Sequence, residues 1–209
     1  MSTREQKKQL TRKSLMQSAL SLVGEGNSFA GISLREVAKN AGVVPTSFYR
    51  HFKDMEELGL SLLDELGLML RKLMRDTRNR DDYIETLTRD SVRVYAGFVA
   101  ENRNYFYFMS ECRTGGNPAL REAVRTELRY FSKELAMDIR RLPIFSQINT
   151  DDLDMVTSLI VETVFASTID LLDQLAPHTK PKKNRNDPYV ENMVKKLRLI
   201  WLGAGEWRS

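Results

Sequence analysis

The sequence predicts an all-α protein, a trihelical N-terminal unit of about 50 residues ahead of a larger helical body, about nine helices in all. Three observations lead there. Gly and Pro fall between stretches whose apolar residues recur every three to four positions. No run sustains the alternation of a half-buried strand. Helix-opening signals recur along the chain: Ser33 with Glu36, Asp54 with Glu57, and Thr150 with two acids behind it.

The elements follow in order. Residues 7–23 place Leu15, Ala19, Leu22 and Val23 on one face of a first helix. The Ser33/Glu36 capping box opens a short helix, SLREVAKN, with Leu34, Val37 and Ala38 inward. Gly42 breaks the chain, and a third short helix covers about 44–51, with Pro45 in the first turn where a missing N–H does no harm. Asp54 and Glu57 start a long helix to about residue 78, with Leu58, Leu62, Leu66, Met69 and Leu73 on one stripe, widened by Leu63, Leu70 and Met74. A helix over about 81–100 stops at the polar run Glu101-Asn102-Arg103-Asn104, before the aromatic run YFYFM. TGGN at 114–117 is a loop, and Asn117-Pro118 begins a helix to about Arg141. Thr150 caps a helix to about Leu175, the Pro-rich stretch 177–188 connects, and a last helix covers about 189–204. The domain boundary is expected between 53 and 54, giving units 1–53 and 54–209.

Composition narrows the functional classes. At 209 residues and 42% hydrophobic the chain can bury a substantial core. Cys112 is the single cysteine, which excludes an internal disulfide or a cysteine zinc site and favours a reducing compartment. MSTREQKKQLTRKS is charged with no apolar run behind it, so no secretory signal is read there. No uninterrupted apolar stretch approaches the ~20 residues of a membrane span. A soluble cytoplasmic protein without a membrane partner is expected. With two histidines, one cysteine, no Gly-rich phosphate loop and no HExxH, no catalytic or metal site is predicted and the protein is not read as an enzyme. Asp64-Glu65 is a carboxylate pair, but adjacent helical residues face apart.

Charge is uneven. Residues 1–53 carry nine Lys or Arg against three Glu, a net of +6, and the remainder carries 23 basic against 25 acidic residues. A basic head on a near-neutral body suits a polyanion partner such as double-stranded DNA.

The stretch GVVPTSFYRHFKD, residues 42–54, concentrates groups that read nucleic acid. Two short helices joined at Gly42 match a helix-turn-helix, whose second helix enters the major groove. Val44, Phe48 and Phe52 recur every fourth residue and are expected inward, leaving Thr46, Ser47, Tyr49, Arg50 and His51 outward. Hydroxyls suit phosphates and mixed base edges, Arg takes a guanine edge bidentately, and rings and methyls touch thymine. Other roles stand beside these: Thr46 and Ser47 as helix-start caps, Tyr49 as half-buried packing, Arg50 and Lys53 as solvated charges, and His51 as a C-terminal cap.

On these residues, SLREVAKNAGVVPTSFYRHFKDMEEL (33–58) resembles the DNA-binding signature of TetR-type bacterial repressors. PTSFYRHFKDMEELGL and DELGLMLRKLMR are similar to the FabR/DesT subgroup, which controls unsaturated fatty acid synthesis, and SECRTGG (110–116) is a weaker echo of it. The resemblance implies that Thr46, Ser47, Tyr49 and His51 face DNA, that Arg35 reaches it from the preceding helix, and that Lys53 contacts phosphate. The amides opening the next helix would also favour an anion. Pro45 stands where some relatives carry a base-contacting polar residue, so operator sequence does not transfer.

The body offers a seam and a chamber. The apolar circumference of 150–175 and 189–204 is wider than one interior face needs, and the resemblance implies that these helices form a four-helix bundle with a second copy, through Ile160, Val164, Leu197 and Trp201. Rings and Met side chains can line an elongated apolar cavity; the candidates are Tyr95, Phe98, Phe106, Met109, Phe131, Met155 and Phe165. The resemblance implies no cofactor but an effector, a long-chain acyl-CoA, whose phosphates would meet Arg113, or else Arg103. Because helix 54–78 continues from the head and borders the chamber, a ligand that sets its angle is expected to set the separation of two heads. The rival is a multidrug-type repressor taking hydrophobic or cationic compounds, kept open by Glu162 and Asp170 on an otherwise apolar helix.

Overall fold

A computed structural model describes residues 3–78, 83–142, 145, 147–175 and 187–207. These form α1 (Thr3–Gly24), a 3-10 turn (Phe29–Gly31), α2 (Leu34–Asn40), α3 (Pro45–Phe48), α4 (Met55–Arg78), α5 (Ile84–Glu101), α6 (Arg103–Thr114), α7 (Pro118–Ile139), α8 (Thr150–Ala166), α9 (Thr168–Gln174) and α10 (Pro188–Glu206). The all-α expectation holds, with no strand among the described residues. The extra helix arises because the segment opened at Thr150 breaks at Ser167, where hydroxyls turn back on the chain: Ser167 Oγ donates to Thr163 O at 3.0 Å and Thr168 Oγ1 to Val164 O at 3.3 Å. Its N-cap is Asn149 rather than Thr150, the Asn149 side-chain Oδ1 accepting from Asp152 N at 2.8 Å. Of the 177–188 connector, residues 177–186 lie outside the described residues.

The helices gather into two compact units, Met1–Leu66 with Arg103–Arg125, and Gly67–Asn102 with Thr126–Ser209. The boundary expected at 53/54 falls inside the first. That unit is the head together with the start of α4, all of α6 and the start of α7. Its core holds Leu15, Ala19, Val37, Phe48, Phe52, Leu58, Leu62, Phe106 and Phe108, all essentially inaccessible. Phe29 meets Phe108 edge-on with centroids 4.6 Å apart. A Cβ on Gly59 would come within 2.9 Å of Leu120 Cδ2 and 3.1 Å of Phe29, so α4 lies close against both side chains there.

In the second unit α10 packs on α5 and α8, and α9 packs on α5. Trp201 anchors the core: its Nε1 donates to Thr88 Oγ1 at 2.9 Å and its ring lies 5.3 Å from that of Phe145. A ladder of ion pairs joins the end of α4 to α7: Arg71 with Glu127, Arg75 with Glu134 at 3.0 Å, and Arg78 with Asp138 at 2.5 Å. Gly67 leaves room for the Glu127 carboxylate. Thr150–Gln174 is long and apolar enough to pass for a membrane span by length and composition, although acids and the break at Ser167 interrupt it, so that no uninterrupted apolar run of ~20 residues occurs there. It lies in this helical unit with 44% of its apolar window buried.

Candidate nucleic-acid interface

The interface is set from α1 outward. Ser18 Oγ, buried, donates to Val37 O at 2.8 Å, and Asn40 Nδ2 donates to Ser18 O at 3.4 Å, fixing α2 across α1. The predicted capping box is present: Ser33 Oγ accepts from Glu36 N at 3.3 Å and the Glu36 carboxylate accepts from Ser33 N at 2.8 Å. The Ser33 side-chain bond, with the backbone one behind it, lowers the Glu36 pKa. α2 then ends in a Schellman turn. Gly42, at φ +69, donates to Lys39 O at 3.1 Å, and Val43 N donates to Ala38 O at 3.0 Å. An L side chain rarely adopts that φ, so Gly42 is what aims the chain into α3.

α3 is shorter than the expected 44–51. Beyond Phe48 the chain continues as turns, with Arg50 N bonded to Ser47 O, His51 N to Phe48 O and Phe52 N to Phe48 O. Phe48 and Phe52 are buried, centroids 5.6 Å apart, as expected. Val44 is not: it is 62% exposed. It is the N-cap, with extended backbone at ψ 147, and so lies outside the helical periodicity that placed it inward.

Tyr49 is 60% exposed, its ring edge-on to Phe48 at 6.0 Å, which excludes the half-buried packing role. Thr46, Arg50, Lys53 and Arg35 are exposed and Ser47 is half-exposed. No side-chain cap bond is made at the start of α3, so Thr46 and Ser47 are not spent as caps. His51 is half-buried, and its Nδ1 has no hydrogen-bond partner among the described residues. Burial first, then the charges of Lys8, Arg12 and Arg50, hold its pKa below 6.5. Arg12 is fixed between layers, its guanidinium 4.7 Å over the Phe52 ring and Nη2 on Ser61 Oγ at 2.8 Å.

At the start of α4 the expected box is shifted. Asp54 Oδ1 accepts from Glu57 N at 2.9 Å, but the Glu57 carboxylate accepts from Lys53 N at 2.5 Å instead of from the cap's own amide. One of the amides expected to face an anion, that of Glu57, therefore already carries a carboxylate.

Sequence reasoning missed α6 as part of the head. Glu111, in the SECRTGG stretch, accepts from Ser28 Oγ at 2.5 Å, Phe29 N at 2.9 Å and Ala30 N at 3.4 Å, capping the 3-10 turn that leads into α2. Asn117 Nδ2 donates to Glu56 on α4 at 2.8 Å. Between these contacts lies a cleft of about 350 Å³ walled by Phe29, Ile32, Met55, Cys112 and Leu120. Burial pushes the Cys112 thiol up to about 12, with the Glu111 charge adding to it, consistent with a packing residue.

The eight ligand candidates divide between the units. Phe106, Met109 and Arg113 belong to the first; Tyr95, Phe98, Phe131, Met155 and Phe165 belong to the second. Phe106, Met109, Tyr95 and Phe165 are buried, and Tyr95 OH pairs with Thr168 Oγ1 at 2.5 Å. Met155 is 52% exposed and faces away from its unit's core. Arg103 Nη2 reaches Tyr107 OH at 3.4 Å. Glu162 and Asp170 are exposed, so neither is an acid inside a chamber of this chain. Of the seam residues, Ile160, Leu197 and Trp201 are buried in the chain's own core, and Val164 is half-buried. Sequence periodicity marks an apolar face but does not say which side of a two-faced helix the chain itself covers.

Comparison with known proteins agrees with this geometry. Residues 16–62 match the bacterial regulatory proteins of the tetR family, and residues 84–199 match the tetracyclin repressor-like, C-terminal domain. A fatty acid degradation regulator, FadR, from Bacillus halodurans is 16% identical with a TM-score of 0.71, over 95% of this chain and 97% of that one. A transcriptional regulator from Rhodococcus sp. RHA1 is 20% identical with a TM-score of 0.70, over 92% and 96%. A Clostridium perfringens protein described as a regulator of fatty acid metabolism is 16% identical with a TM-score of 0.66, over 91% and 97%. A glycine-aimed turn that holds Tyr49 outward over buried Phe48 and Phe52, joined to a helical body of matching family, places this chain in the TetR family of DNA-binding transcriptional regulators.

Proposed function

We propose that this regulator represses its targets as a homodimer on a duplex operator and releases or tightens its grip in response to a long-chain acyl-CoA, controlling genes of unsaturated fatty acid synthesis or desaturation. The observation that carries the reading is the outward set Thr46, Tyr49 and Arg50 on a turn whose other side is locked by Phe48 and Phe52. The subgroup resemblance of residues 45–60 and 64–75 supports the acyl effector, and two structural neighbours are described as regulators of fatty acid degradation or metabolism.

Dimerisation is supported by two exposed stripes in the second unit. On α8, Met155, Leu159, Glu162 and Ala166 share one exposed face; on α10, Lys195, Leu199, Leu202 and Glu206 share another. Leu159, Leu199 and Leu202 are 51%, 72% and 57% exposed. Apolar centres flanked by charges of both signs suit an isologous interface, in which each stripe meets its own copy or its neighbour's.

The input to the head runs through α6, whose Glu111 holds the turn before α2 and whose following loop holds Glu56 on α4. Selecting bound duplexes from a randomised pool, then titrating the selected site with saturated and unsaturated acyl-CoA, tests the proposal. A coupling of about 1–3 kcal/mol, roughly 5- to 150-fold in affinity, is expected, with unsaturated chains strengthening binding and saturated ones weakening it. Equal affinities with every chain would reject the effector while leaving DNA binding intact.

A further inference from the structure

The surroundings of His51 point to a chemistry that family membership does not supply. Its Nδ1 is buried without a hydrogen-bond partner among the described residues, although the side chain stands on the DNA-facing turn. Lys8 and Arg12, one turn apart on α1, and Arg50 beside it are the charged groups that act on the ring. The carboxylates on adjoining elements are committed elsewhere: Glu36 to Ser33, Asp54 to the Glu57 amide, Glu57 to the Lys53 amide, and Glu56 to Asn117. Arg35 and Lys39 on α2, and Lys53 before α4, add only positive charge. A half-buried imidazole therefore stands beside Lys8, Arg12 and Arg50, while these four carboxylates are held by other partners.

We infer that Lys8, Arg50 and His51 form a clamp for one backbone phosphate of the duplex, and that the His51 imidazole takes up one proton from solvent as that phosphate arrives. Arg12, held over Phe52 and on Ser61, is the fixed positive floor of the clamp. Lys8 and Arg50 are exposed and free to reach. In the free protein the three cations and partial burial oppose an imidazolium. A phosphodiester between them reverses the sign of the local field, and an opposite charge at contact distance favours the charged form. The clamp thus extends the DNA footprint onto α1, outside the two helices of the reading motif, and makes it proton-linked. Because the folded free protein binds fewer protons than the complex near neutrality, affinity rises as pH falls through the window between the free and bound pKa values, and the linkage vanishes above that window.

The inference rests on the DNA-binding reading, and the experiment separates the two. A phosphate clamp is indifferent to base sequence, so fluorescence anisotropy with a labelled duplex of arbitrary sequence, about three helical turns long, is sufficient. The chain has only one other histidine, His178. At fixed low salt, affinity should rise as pH falls below neutrality, by up to about tenfold per pH unit per chain. His51→Gln should melt like the native protein and lose this slope, and His178→Gln should keep it. Lys8→Ala should reduce the salt slope of log K by about 1. A pH slope that survives His51→Gln, or disappears with His178→Gln, or an unchanged salt slope in Lys8→Ala, overturns the clamp. Binding that depends on salt but not on pH overturns it while leaving the head a DNA reader; no binding to any duplex at low salt overturns both.

Discussion

Tyr49 and Lys53 are two exposed side chains a few residues apart to which the proposed DNA reading gives different work. Tyr49 projects from a turn whose underside is locked by Phe48 and Phe52, and Lys53 lies exposed at the junction to α4. Tyr49→Ala is expected to narrow the gap between selected and random duplexes. Lys53→Ala should weaken all duplexes alike and flatten the salt slope of log K by about 1, both measured by anisotropy across a salt series. Gly67 is a residue-scale case in the second unit. Alanine there gains about 1 kcal/mol of helix propensity, but its Cβ meets the Glu127 carboxylate that pairs with Arg71. Displacing a mostly buried pair outweighs the gain, and a net loss of about 1–3 kcal/mol is expected in urea melts. At this scale the sequence was legible where chemistry is local. The Ser33/Glu36 and Asp54/Glu57 pairs both cap helices, because a capping hydroxyl or carboxylate needs only its own neighbours. Val44 was not legible, since helical periodicity stops at the N-cap and the fourth-residue rule does not extend to it.

At the scale of elements, α6 acts as a brace for the head. Removing the Glu111 carboxylate leaves Ser28 Oγ and two backbone N–H groups of the 3-10 turn without their acceptor. Glu111→Ala is expected to lower stability by about 1–3 kcal/mol, and Glu111→Gln, which keeps one carbonyl acceptor, by less. Thermal and urea melts of both variants give the comparison. The cap of α2 supplies a pH test. Glu36 has its pKa depressed mainly by the Ser33 side chain, so its contribution is present above the ordinary value of 4.5 and is lost as pH falls through the lower folded value. Urea midpoints should therefore fall more steeply for the native protein than for Ser33→Ala below about pH 5, while Ser33→Ala is about 1 kcal/mol less stable near neutrality. Most helices were legible from periodicity and caps. The break at Ser167 was not, because the hydroxyl bonds that turn the chain compete with the helix only once its neighbours are packed. Nor was the role of α6: nothing local in SECRTGG says that Glu111, rather than Arg113, meets a turn 82 residues earlier.

For the whole molecule, the question is which apolar surface the single chain leaves uncovered. Leu159→Glu or Leu199→Arg should leave the fold intact, convert the protein to a monomer by sedimentation, and abolish tight operator binding, since one head spans one half-site. Leu197→Ala, by contrast, should act on folding, with a loss of about 2–5 kcal/mol from a fully packed position, and leave the surviving folded protein dimeric. Sequence reading chose Ile160, Leu197 and Trp201 for the seam because it sees an apolar helix without seeing what covers each side. The chamber candidates met the same limit: eight apolar or basic residues at plausible helical positions divide between two compact units.

By itself the sequence determined that the chain is helical, where most helices begin, and that a short helix-turn-helix turn lies at residues 42–52, because each of these depends on contacts within a few residues: caps, a left-handed glycine, and a three-to-four-residue apolar period. Only the tertiary structure decided that α6 belongs with the head, that Gly67 shelters a buried carboxylate, and that the apolar residues of α8 and α10 divide into core and exposed stripes. Those are outcomes of which helix packs against which, and long-range packing is encoded in complementary surfaces that no single segment displays.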